Sequence, residues 1–415
     1  MKEPWKKALY VIDILEKKGF EAFIVGGAVR DLLLCKTPVD IDITTSANLS
    51  DIKEILPKAK VIGKENRKSA CISIEGVTID IVSFAHTTLE EDLKRRDFTI
   101  NAMAMSRCGN IIDPWGGLLD LSARLIRFTE SPENRVLEDP ARIVRAARLT
   151  ASMPGFTLAE ETNNMCKKHG NLLKKIPPER IGKEILKAFD GKPSAFVDIL
   201  ENLDILNIVI PCLSALKAVN QDPVKHPEGD AFTHSLLCLK TMESLTFDKI
   251  MKIASLFHDL GKAVSISDHE AKGAKIARET FMRWSWPQNL TNEVCSLIEW
   301  HWAPFRLPET KTAAKLLLTK GSEWIGKLFL LGYADTLAGA GDMERYIRNR
   351  ETILKILFNL SSGLPISGKD IINLYPALKG EKIGQILDEL AEKIATSGPL
   401  SKLEAVTWLN NKYNH

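Results

Sequence analysis

The sequence predicts an α+β protein, in which a small mixed sheet in the N-terminal third is followed by helices alone. Two observations predict the sheet. Residues 22–43 have the pattern strand, glycine turn, short helix, strand, and the segment VTIDIVS alternates apolar and polar side chains with the period of a strand. After residue 129 the apolar residues recur at helical spacings. A chain of 415 residues is long enough for two to four domains.

The strand-helix-strand unit has the features of a phosphate and metal site. Gly26 and Gly27 let the backbone turn sharply, and the helix amides that follow favour an anion such as a triphosphate. Asp40 and Asp42 alternate with Val39 and apolar neighbours, so both carboxylates should project from one strand face. Such a pair repels unless cations lie between, and Mg²⁺ prefers oxygen ligands. The combination indicates phosphoryl or nucleotidyl transfer, whereas either half alone favours a tight turn or a solvated strand edge.

Two later segments extend this site. Asp80 in VTIDIVS is a candidate third carboxylate, with a solvated strand residue as the alternative. LEEDLKRRDFTINAMAM is predicted to be one helix, which would place Asp97 and Asn101 on the same face. Arg96 in that segment suits a phosphate oxygen. A salt-bridged surface helix is the competing interpretation.

Composition narrows the class of protein. Apolar residues make up 45% and charged residues 26%, which is ordinary for a soluble protein, and the net charge of +3 permits a nucleic-acid partner without requiring one. The seven cysteines form no CxxC pair, which favours free thiols in a reducing cytoplasm. No apolar run reaches the ~18 residues of a membrane span, so we expect a cytoplasmic protein with no membrane contact.

Five motifs occur in one order: GGAVRDLL, DID, EDLKRRDFTINAMA, DPWGGLLDL and EDPARIVRAAR. Together they resemble the class II tRNA nucleotidyltransferases, the group of CCA-adding enzymes and bacterial poly(A) polymerases. The resemblance implies a DNA polymerase beta-like nucleotidyltransferase head with a small mixed sheet, then an all-helical neck and an HD domain. We expect the head over residues 1–128, the neck with the nucleotide template and tRNA-binding region over 129–222, and the HD domain with the C-terminal helices over 223–415.

The resemblance also implies a role for individual side chains. Asp40 and Asp42 would hold Mg²⁺, and Asp80 would complete the catalytic site. The residues implied in nucleotide binding are Gly26, Gly27, Arg30, Arg96, Asp97, Asn101, Asp139, Arg142, Arg145 and Arg148.

Asp139 and Arg142 correspond to the family's amino-acid template for the incoming base. Their chemistry agrees with that role, because a carboxylate accepts from the exocyclic amine of C or A and a guanidinium donates to ring acceptors. Uracil and guanine fit this pair less well. A capped surface helix, beginning near Glu138 with Asp139 as its N-cap, is the alternative.

A second resemblance lies further along the chain. His258 and Asp259, followed by Gly261 and Lys262, resemble the HD metal-dependent phosphohydrolases, and we expect LFHDLGK to lie on a helix. The implied ligands of Mg²⁺, Mn²⁺ or Ni²⁺ are His234, His258, Asp259 and Asp335, with His269 and His301 as further candidates. The resemblance leaves open whether this domain hydrolyses a substrate, since HD domains joined to tRNA nucleotidyltransferases can also serve as a scaffold and an RNA-binding surface.

One departure from the family bears on the product. CCA-adding members carry a flexible basic loop between the third catalytic strand and the LEEDLKRRD helix. Here Ala85 stands where the family has arginine, and His86, Thr87 and Thr88 lead directly to Leu89. Loss of this loop marks CC-adding enzymes. The resemblance therefore implies addition of CC to tRNA from CTP with release of pyrophosphate, and leaves open whether ATP also serves or a separate enzyme adds the A.

Two other functions remain as alternatives. A poly(A) polymerase would use ATP alone and is expected to carry a longer basic tail. An HD phosphohydrolase with an RNA-binding head would not need the paired carboxylates. A lysine-rich region between residues 167 and 187 suits a tRNA backbone, although a solvated basic helix would have the same composition.

Overall fold

The computed structural model describes residues 3–38, 40–63, 69–84, 87–224, 226–306, 309–376, 378 and 380–413. The chain divides into two compact units, Met1–Gly191 with Ala195–Val209 and Lys192–Ser194 with Ile210–His415. Among the helices of the described residues, none has both the length and the apolar character of a membrane span. All seven cysteines are free.

The first unit begins with strands and helices in alternation and continues with helices. Its strands are β1 Ala22–Val25, β2 Ile41–Thr45, β3 Lys60–Ile62, β4 Ser69–Ile74, β5 Val77–Ser83, β6 Ala104–Met105, β7 Ile111–Ile112, β8 Leu125–Ile126 and β9 Thr157–Leu158. Its helices are α1 Glu3–Lys17, α2 Gly27–Leu33, α3 Leu49–Ile55, α4 Leu89–Lys94, α5 Gly117–Ala123, α6 Pro132–Glu138, α7 Ala141–Ser152, α8 Glu160–His169, α9 Pro178–Ala188, α10 Pro193–Asn202, which starts in the second unit, and α11 Leu206–Val209.

In the rest of the second unit, every named element among the described residues is a helix. Its helices are α12 Pro211–Ser214, α13 Ala231–Leu245, α14 Lys249–Phe257, α15 His269–Arg283, α16 Gln288–Trp300, α17 Thr310–Ala338, α18 Met343–Asn359, α19 Gly368–Leu374, α20 Gly380–Ser397 and α21 Lys402–Tyr413. Short 3-10 turns occupy Thr99–Asn101, Gly170–Lys175, Ala215–Ala218 and Leu260–Ala263.

Seven strands form one mixed sheet in the order β3-β4-β5-β2-β1-β6-β7, in which only β2 and β5 run parallel. Ile41 and Ile43 of β2 and Ile79 and Ile81 of β5 are fully buried, in a core that includes α1. Because side chains alternate across a strand, the residue between each isoleucine pair faces away from this core. The predicted α+β class with a small mixed sheet is confirmed.

The strand that carries the first carboxylates is shorter than predicted. β2 begins at Ile41, so Asp40 lies in an exposed bend just before the strand rather than within it. Val39 lies outside the described residues, as do Ala85 and His86 of the shortened connection.

The single helix predicted for LEEDLKRRDFTINAMAM is wrong. α4 ends at Lys94, and Phe98 is extended, with φ −124° and ψ 148°. Phe98 pairs with Phe128 in an antiparallel bridge, and their stacked rings lie 5.2 Å apart. Burial of this aromatic pair outweighs the helical propensity of the segment. Asp97 and Asn101 still meet, but across a turn.

Two further helix predictions need correction at their ends. The helix expected from Glu138 begins only at Ala141, because α6 ends at Glu138 and Asp139 is extended, with φ −149° and ψ 92°. Pro140 lacks the N–H that would continue α6. His258 and Asp259 follow the last residue of α14 instead of lying on that helix.

Candidate functional site

A cavity of about 730 Å³ in the first unit gathers most of the residues predicted to bind nucleotide. Its lining is rich in both carboxylates and guanidinium groups. The lining residues are Gly26, Gly27, Asp42, Arg95, Arg96, Asp97, Asn101, Glu138, Asp139, Arg142, Arg145 and Arg180. Asp40, Asp80, Arg30 and Arg148 are not part of this lining, whereas Arg95, Glu138 and Arg180 are lining residues that were not among the predicted site residues.

The glycine turn lies directly against the acidic strand. Gly26 has φ 73° and ψ −139°, a conformation that favours glycine. A Cβ atom there would lie 2.8 Å from Arg96 Nη1 and 3.4 Å from Asp42 Oδ2. The absence of a side chain therefore lets the turn approach one carboxylate and one guanidinium at once.

Asp42 and Asp80 face each other across the parallel pair β2–β5. Burial raises the pKa of the Asp42 carboxyl; Arg96 opposes this shift, while Asp80 and Asp40 add to it by repulsion. Asp80 Oδ1 is buried and has no hydrogen-bond partner within the described residues. Close carboxylates with an unsatisfied buried oxygen fit a divalent cation, which would neutralise the repulsion.

Asp97 is the centre of a hydrogen-bond network at one side of the cavity. Its Oδ1 accepts from the backbone N–H of Phe98 at 2.9 Å and from Asn101 Nδ2 at 3.1 Å, and its Oδ2 accepts from Arg145 Nη1 at 2.9 Å. Burial by itself raises the pKa of the Asp97 carboxyl, but Arg145 and these hydrogen bonds outweigh it and the net shift is downward. Arg30 Nη1 donates to Asn101 Oδ1 at 2.7 Å, which links Arg30 to the same network.

Asp139 and Arg142 form another wall of the cavity. Arg142 donates from Nη1 to the carbonyl oxygen of Arg135 and to Glu138 Oε2, both at 2.9 Å, and from Nη2 to the carbonyl oxygen of Arg95 at 3.2 Å. Asp139 accepts from Arg180 Nη2 at 2.7 Å and 3.0 Å. Both side chains are therefore held in place by neighbouring residues.

Arg145 and Arg148 share a buried partner on α9. Glu184 accepts from Arg148 Nε at 2.7 Å and from Arg145 Nη2 at 3.5 Å, and its side chain is 9% exposed. Arg145 lines the cavity and also pairs with Asp97, whereas the guanidinium of Arg148 is directed to Glu184.

The contribution of α9 to the site was not predicted from the sequence. Arg180 was assigned to the basic region expected to meet tRNA, yet its guanidinium pairs with Asp139. Arg180 and Glu184 are four residues apart and hence on one helix face. That spacing was the only signal in the sequence that could have drawn attention to them.

A separate cluster of histidines lies in the second unit. His258 and His301 each place Nδ1 near the carbonyl oxygen three residues earlier, at 2.9 Å and 2.7 Å. His269 does the same at 2.9 Å. A carbonyl oxygen only accepts, so Nδ1 carries the hydrogen and a neutral ring offers its Nε2 lone pair. His234 Nδ1 lies 2.6 Å from Glu228 Oε1, which orients its ring similarly.

The Nε2 atoms converge on two carboxylates. His234 Nε2 lies 2.8 Å from Asp335 Oδ1, and His258 Nε2 lies 3.4 Å from Asp259 Oδ2. On the other side of Asp259, Oδ1 lies 3.5 Å from His269 Nε2 and 3.8 Å from His301 Nε2. Among the described residues, three groups could each hold a metal ion. They are His234 with His258 and Asp335, Asp259 with His269 and His301, and His226 with Glu228 and His234.

The histidines and carboxylates of this cluster shift one another's pKa values strongly. Burial by itself lowers the pKa of His234, but Asp335 outweighs burial and raises the pKa of His234 to about 9. Burial and the neighbouring His258 lower the pKa of His301 to about 4. Burial opposes ionisation of Asp259 as well, yet His258 and Lys262 hold its pKa well below the usual range. His258 Nε2 is buried without a hydrogen-bond partner in the described part of the chain. An unsatisfied imidazole nitrogen beside ionised carboxylates fits a transition-metal ion.

Comparison with known proteins assigns each part of this architecture. The poly A polymerase head domain family matches residues 22–127, a probable RNA and SrmB-binding site of polymerase A matches 155–217, and the HD domain family matches 231–324.

Relatives cover most of the chain. A multifunctional CCA protein of Halorhodospira halophila is 31% identical over 330 residues, which are 72% of this chain and 78% of the relative. A CC-adding tRNA nucleotidyltransferase of Halalkalibacterium halodurans is 39% identical over 275 residues, 64% of this chain and 72% of the relative.

A solved structure of a CCA-adding enzyme has the same fold. The crystal structure of the Bacillus stearothermophilus CCA-adding enzyme in complex with CTP has a TM-score of 0.73 and 26% identity, and the match covers 100% of this chain and 98% of that chain. The predicted resemblance is thereby confirmed. The chain belongs to the tRNA nucleotidyltransferase family of CCA-adding and CC-adding enzymes, and it is an enzyme with a poly(A) polymerase-type head and an HD domain.

Proposed function

We propose that this enzyme transfers cytidylate from CTP to the 3′ end of a tRNA, adds two C residues and stops there. The observation that carries nucleotidyl transfer is the pair Asp42 and Asp80, of which Asp42 lies against the Gly26 turn. Asp42 also lines the cavity that contains Asp139 and Arg142, so a metal position and a base-reading position share one site.

The reaction joins the 3′-hydroxyl of the tRNA to the α-phosphorus of CTP and releases pyrophosphate. Asp40, Asp42 and Asp80 would hold Mg²⁺, which supplies Lewis-acid stabilisation of the attacking and leaving oxygens when bound. Arg96 and the amides at Gly26 and Gly27 would hold the triphosphate. These residues position the reacting groups and balance the charge.

The base would be selected by hydrogen bonds to side chains. Asp139 accepts from the exocyclic amine of cytosine, and Arg142 donates to its ring acceptors. We place Asp97, Asn101 and Arg145 near the ribose and Arg30 near the phosphates, because these four residues are joined in one network. Arg148 would act through Glu184.

The short connection between β5 and α4 supports a CC product. Only residues 84–88 separate the two elements. Thr87 N–H donates to the carbonyl oxygen of Phe84 at 2.8 Å, and Thr88 caps α4 in a capping box with Glu91, so the described part of this connection forms a turn and a helix cap. In the resembled family a longer loop at this place re-aims the template from C to A. A relative named as CC-adding supports the same product.

The proposal is tested by product length. Purified protein is incubated with tRNA that lacks CCA and with each nucleoside triphosphate alone or in mixtures, and the products are resolved at single-nucleotide length. We expect two added nucleotides with CTP and none with ATP or UTP alone. Extension with ATP alone would point to a poly(A) polymerase, and no extension by any nucleotide would contradict the proposal.

A second activity is favoured by the histidine cluster. Lys262 and Arg306 line a cavity of about 200 Å³ that also contains Asp259, His269 and His301. Cations beside a candidate site for Mg²⁺, Mn²⁺ or Ni²⁺ suit a phosphate ester. We propose metal-dependent phosphohydrolysis here. The test is a phosphatase assay with each ion on an Asp42→Asn variant, in which hydrolysis should persist; no hydrolysis with any ion, by this variant or by wild type, would contradict it.

The setting of the enzyme follows from its substrate. We propose that it acts on tRNA in the cytoplasm and that a separate A-adding enzyme completes the 3′ end. We also propose that the chain is divided into a head over residues 1–128, a neck over 129–222 and an HD region over 223–415.

A further inference from the structure

Arg180 is the residue that contacts the carboxylate of Asp139 most closely. Arg180 lies in the first turn of α9, and its Nη2 donates to Asp139 Oδ2 at 2.7 Å and to Oδ1 at 3.0 Å. The side chain of Asp139 is 18% exposed and that of Arg180 is 43% exposed. This pair lies at the edge of the nucleotide cavity, which both residues line.

The hydrogen bonds of Asp139 leave one particular acceptor position unused. A carboxylate offers about four lone-pair positions, two on each oxygen. Oδ1 accepts from Arg180 and from the backbone N–H of Ala141 at 3.3 Å, whereas Oδ2 accepts from Arg180 alone within the described ranges. The remaining acceptor capacity is therefore on Oδ2.

Arg180 is also the only side chain that holds Asp139 among the residues that the structure describes. Without it, the carboxylate would keep one backbone contact and could rotate about χ2, because terminal sp³–sp² torsions have broad minima. Arg142, by contrast, is fixed by hydrogen bonds to three oxygen atoms of neighbouring residues, none of which lies on α9. The orientation of the donor half of the template is thus independent of α9, but that of the acceptor half is not.

We propose that Arg180 is a specificity-determining positioning residue, which holds Asp139 so that Oδ2 accepts from the exocyclic amine of the incoming base. The proposal rests on the base-reading role of Asp139 in the proposed function. Cytosine presents an amine at this edge, and uracil presents a carbonyl oxygen. A fixed acceptor pairs with the amine and leaves the carbonyl unpaired, whereas an acceptor that can rotate away penalises uracil less.

Arg180 lies where its side chain contributes little to the stability of α9. α9 is anchored by Ile181, Ile185 and Ala188, which are buried, and by the ion pairs of Glu184. Arg180 itself projects from this helix and is substantially exposed. Its replacement should therefore change base selection without unfolding the helix.

The test compares Arg180→Gln and Arg180→Lys with a matched control, Glu179→Gln, which changes the neighbouring exposed residue of the same helix. Equilibrium binding of CTP and of UTP is measured without tRNA, and kcat and KM for both nucleotides are measured with tRNA. Glutamine should reduce the preference for CTP over UTP about tenfold, which corresponds to about 1.4 kcal/mol. Lysine, which keeps a cationic donor, should restore most of the preference, and the control should match wild type.

A double-mutant cycle shows whether Arg180 acts through its partner. In an Asp139→Ala background, Arg180→Gln should change the CTP-to-UTP ratio less than twofold, since the group that it positions is gone. A purely structural role would lower kcat for both nucleotides in either background and leave the ratio unchanged.

Two contrary outcomes have different meanings. If wild type prefers CTP and Arg180→Gln retains that preference in full, the role of Arg180 is wrong and the proposed function stands. If wild type binds CTP no more tightly than UTP, the base-reading role of Asp139 fails, and the inference about Arg180 fails with it. Thermal unfolding of each variant confirms that the comparison is made on folded protein.

Discussion

Asp42 and Asp80 lie directly opposite each other on the parallel strands β2 and β5. The isoleucines on either side of each aspartate are buried on the other face of the sheet, so neither carboxylate can turn away into the core without breaking the register. The fold therefore holds two carboxyl groups together on one face of the sheet, and Asp42 of this pair lines the cavity. Such an arrangement costs stability in the absence of a cation and provides a metal site in its presence.

This relationship predicts opposite effects on activity and stability. Asp42→Asn should reduce nucleotide addition by at least about 100-fold, because the proposed function makes Asp42 a ligand of Mg²⁺. The free energy of unfolding in EDTA should stay equal or rise, since burial and Asp80 both disfavour the charged form of Asp42. Urea unfolding measures the stability and a tRNA extension assay measures the activity, with Glu54→Gln at an exposed position of α3 as control. Retained activity would contradict the metal assignment.

Asp97 should give a pH-dependent contribution to stability. Its pKa lies below the ordinary value of 3.8, so the ionised form stabilises the fold above that pH and the benefit disappears as pH falls through the lower folded value. Asp97→Asn should lower the free energy of unfolding by about 1–3 kcal/mol at pH 7. The difference from wild type should shrink below pH 3.8. A difference that is the same at pH 7 and pH 3.5 would show that the Arg145 contact is not electrostatic.

Glu184 should matter to the fold more than its exposed neighbours do. Its buried carboxylate pairs with Arg145 and Arg148, and Glu184→Gln would leave both guanidinium groups without a charged partner at this position. We expect a loss of about 1–3 kcal/mol in the free energy of unfolding by urea. Glu179→Gln, at an exposed position of the same helix, should change it by less than about 0.5 kcal/mol. Equal effects of the two substitutions would contradict the structural role of Glu184.

The histidine cluster should be separable from nucleotide addition. Asp259 belongs to one candidate metal group and lies 3.4 Å from His258 of another, so Asp259→Asn should weaken binding of Mn²⁺ or Ni²⁺ by about tenfold or more and abolish phosphohydrolysis. Extension of tRNA should be unchanged, because the two sites share no residue. Calorimetric titration with each ion and the extension assay test this together. Loss of extension in a folded variant would show that the sites are coupled.

Local patterns predicted the parts of the structure that local forces decide. The alternation in VTIDIVS predicted β5 and the face of Asp80, and the paired glycines predicted the turn at Gly26. The contact between Asp97 and Asn101 was predicted from a helix that does not form; the residues meet because Phe98 is drawn into a pairing with Phe128. That pairing joins residues far apart in sequence, which a periodicity argument cannot detect.

The contribution of α9 could not be predicted for the same reason. Arg180 and Asp139 are 41 residues apart, and their contact depends on how α7 and α9 pack. A single arginine among many lysines looks like part of a basic surface, and only the packing distinguishes it. The histidine cluster was easier to predict, because the order of the motifs along the chain is itself characteristic of the HD domain.

Two tRNA substrates distinguish a site that adds C alone from one that proceeds to A. Under single-turnover conditions with Mg²⁺, one tRNA ending in C is given CTP and a second tRNA ending in CC is given ATP. We expect the first tRNA to gain one C and the second not to be extended in the same time. Addition of A to the second tRNA at a comparable rate would contradict it and assign the protein to the full CCA-adding enzymes.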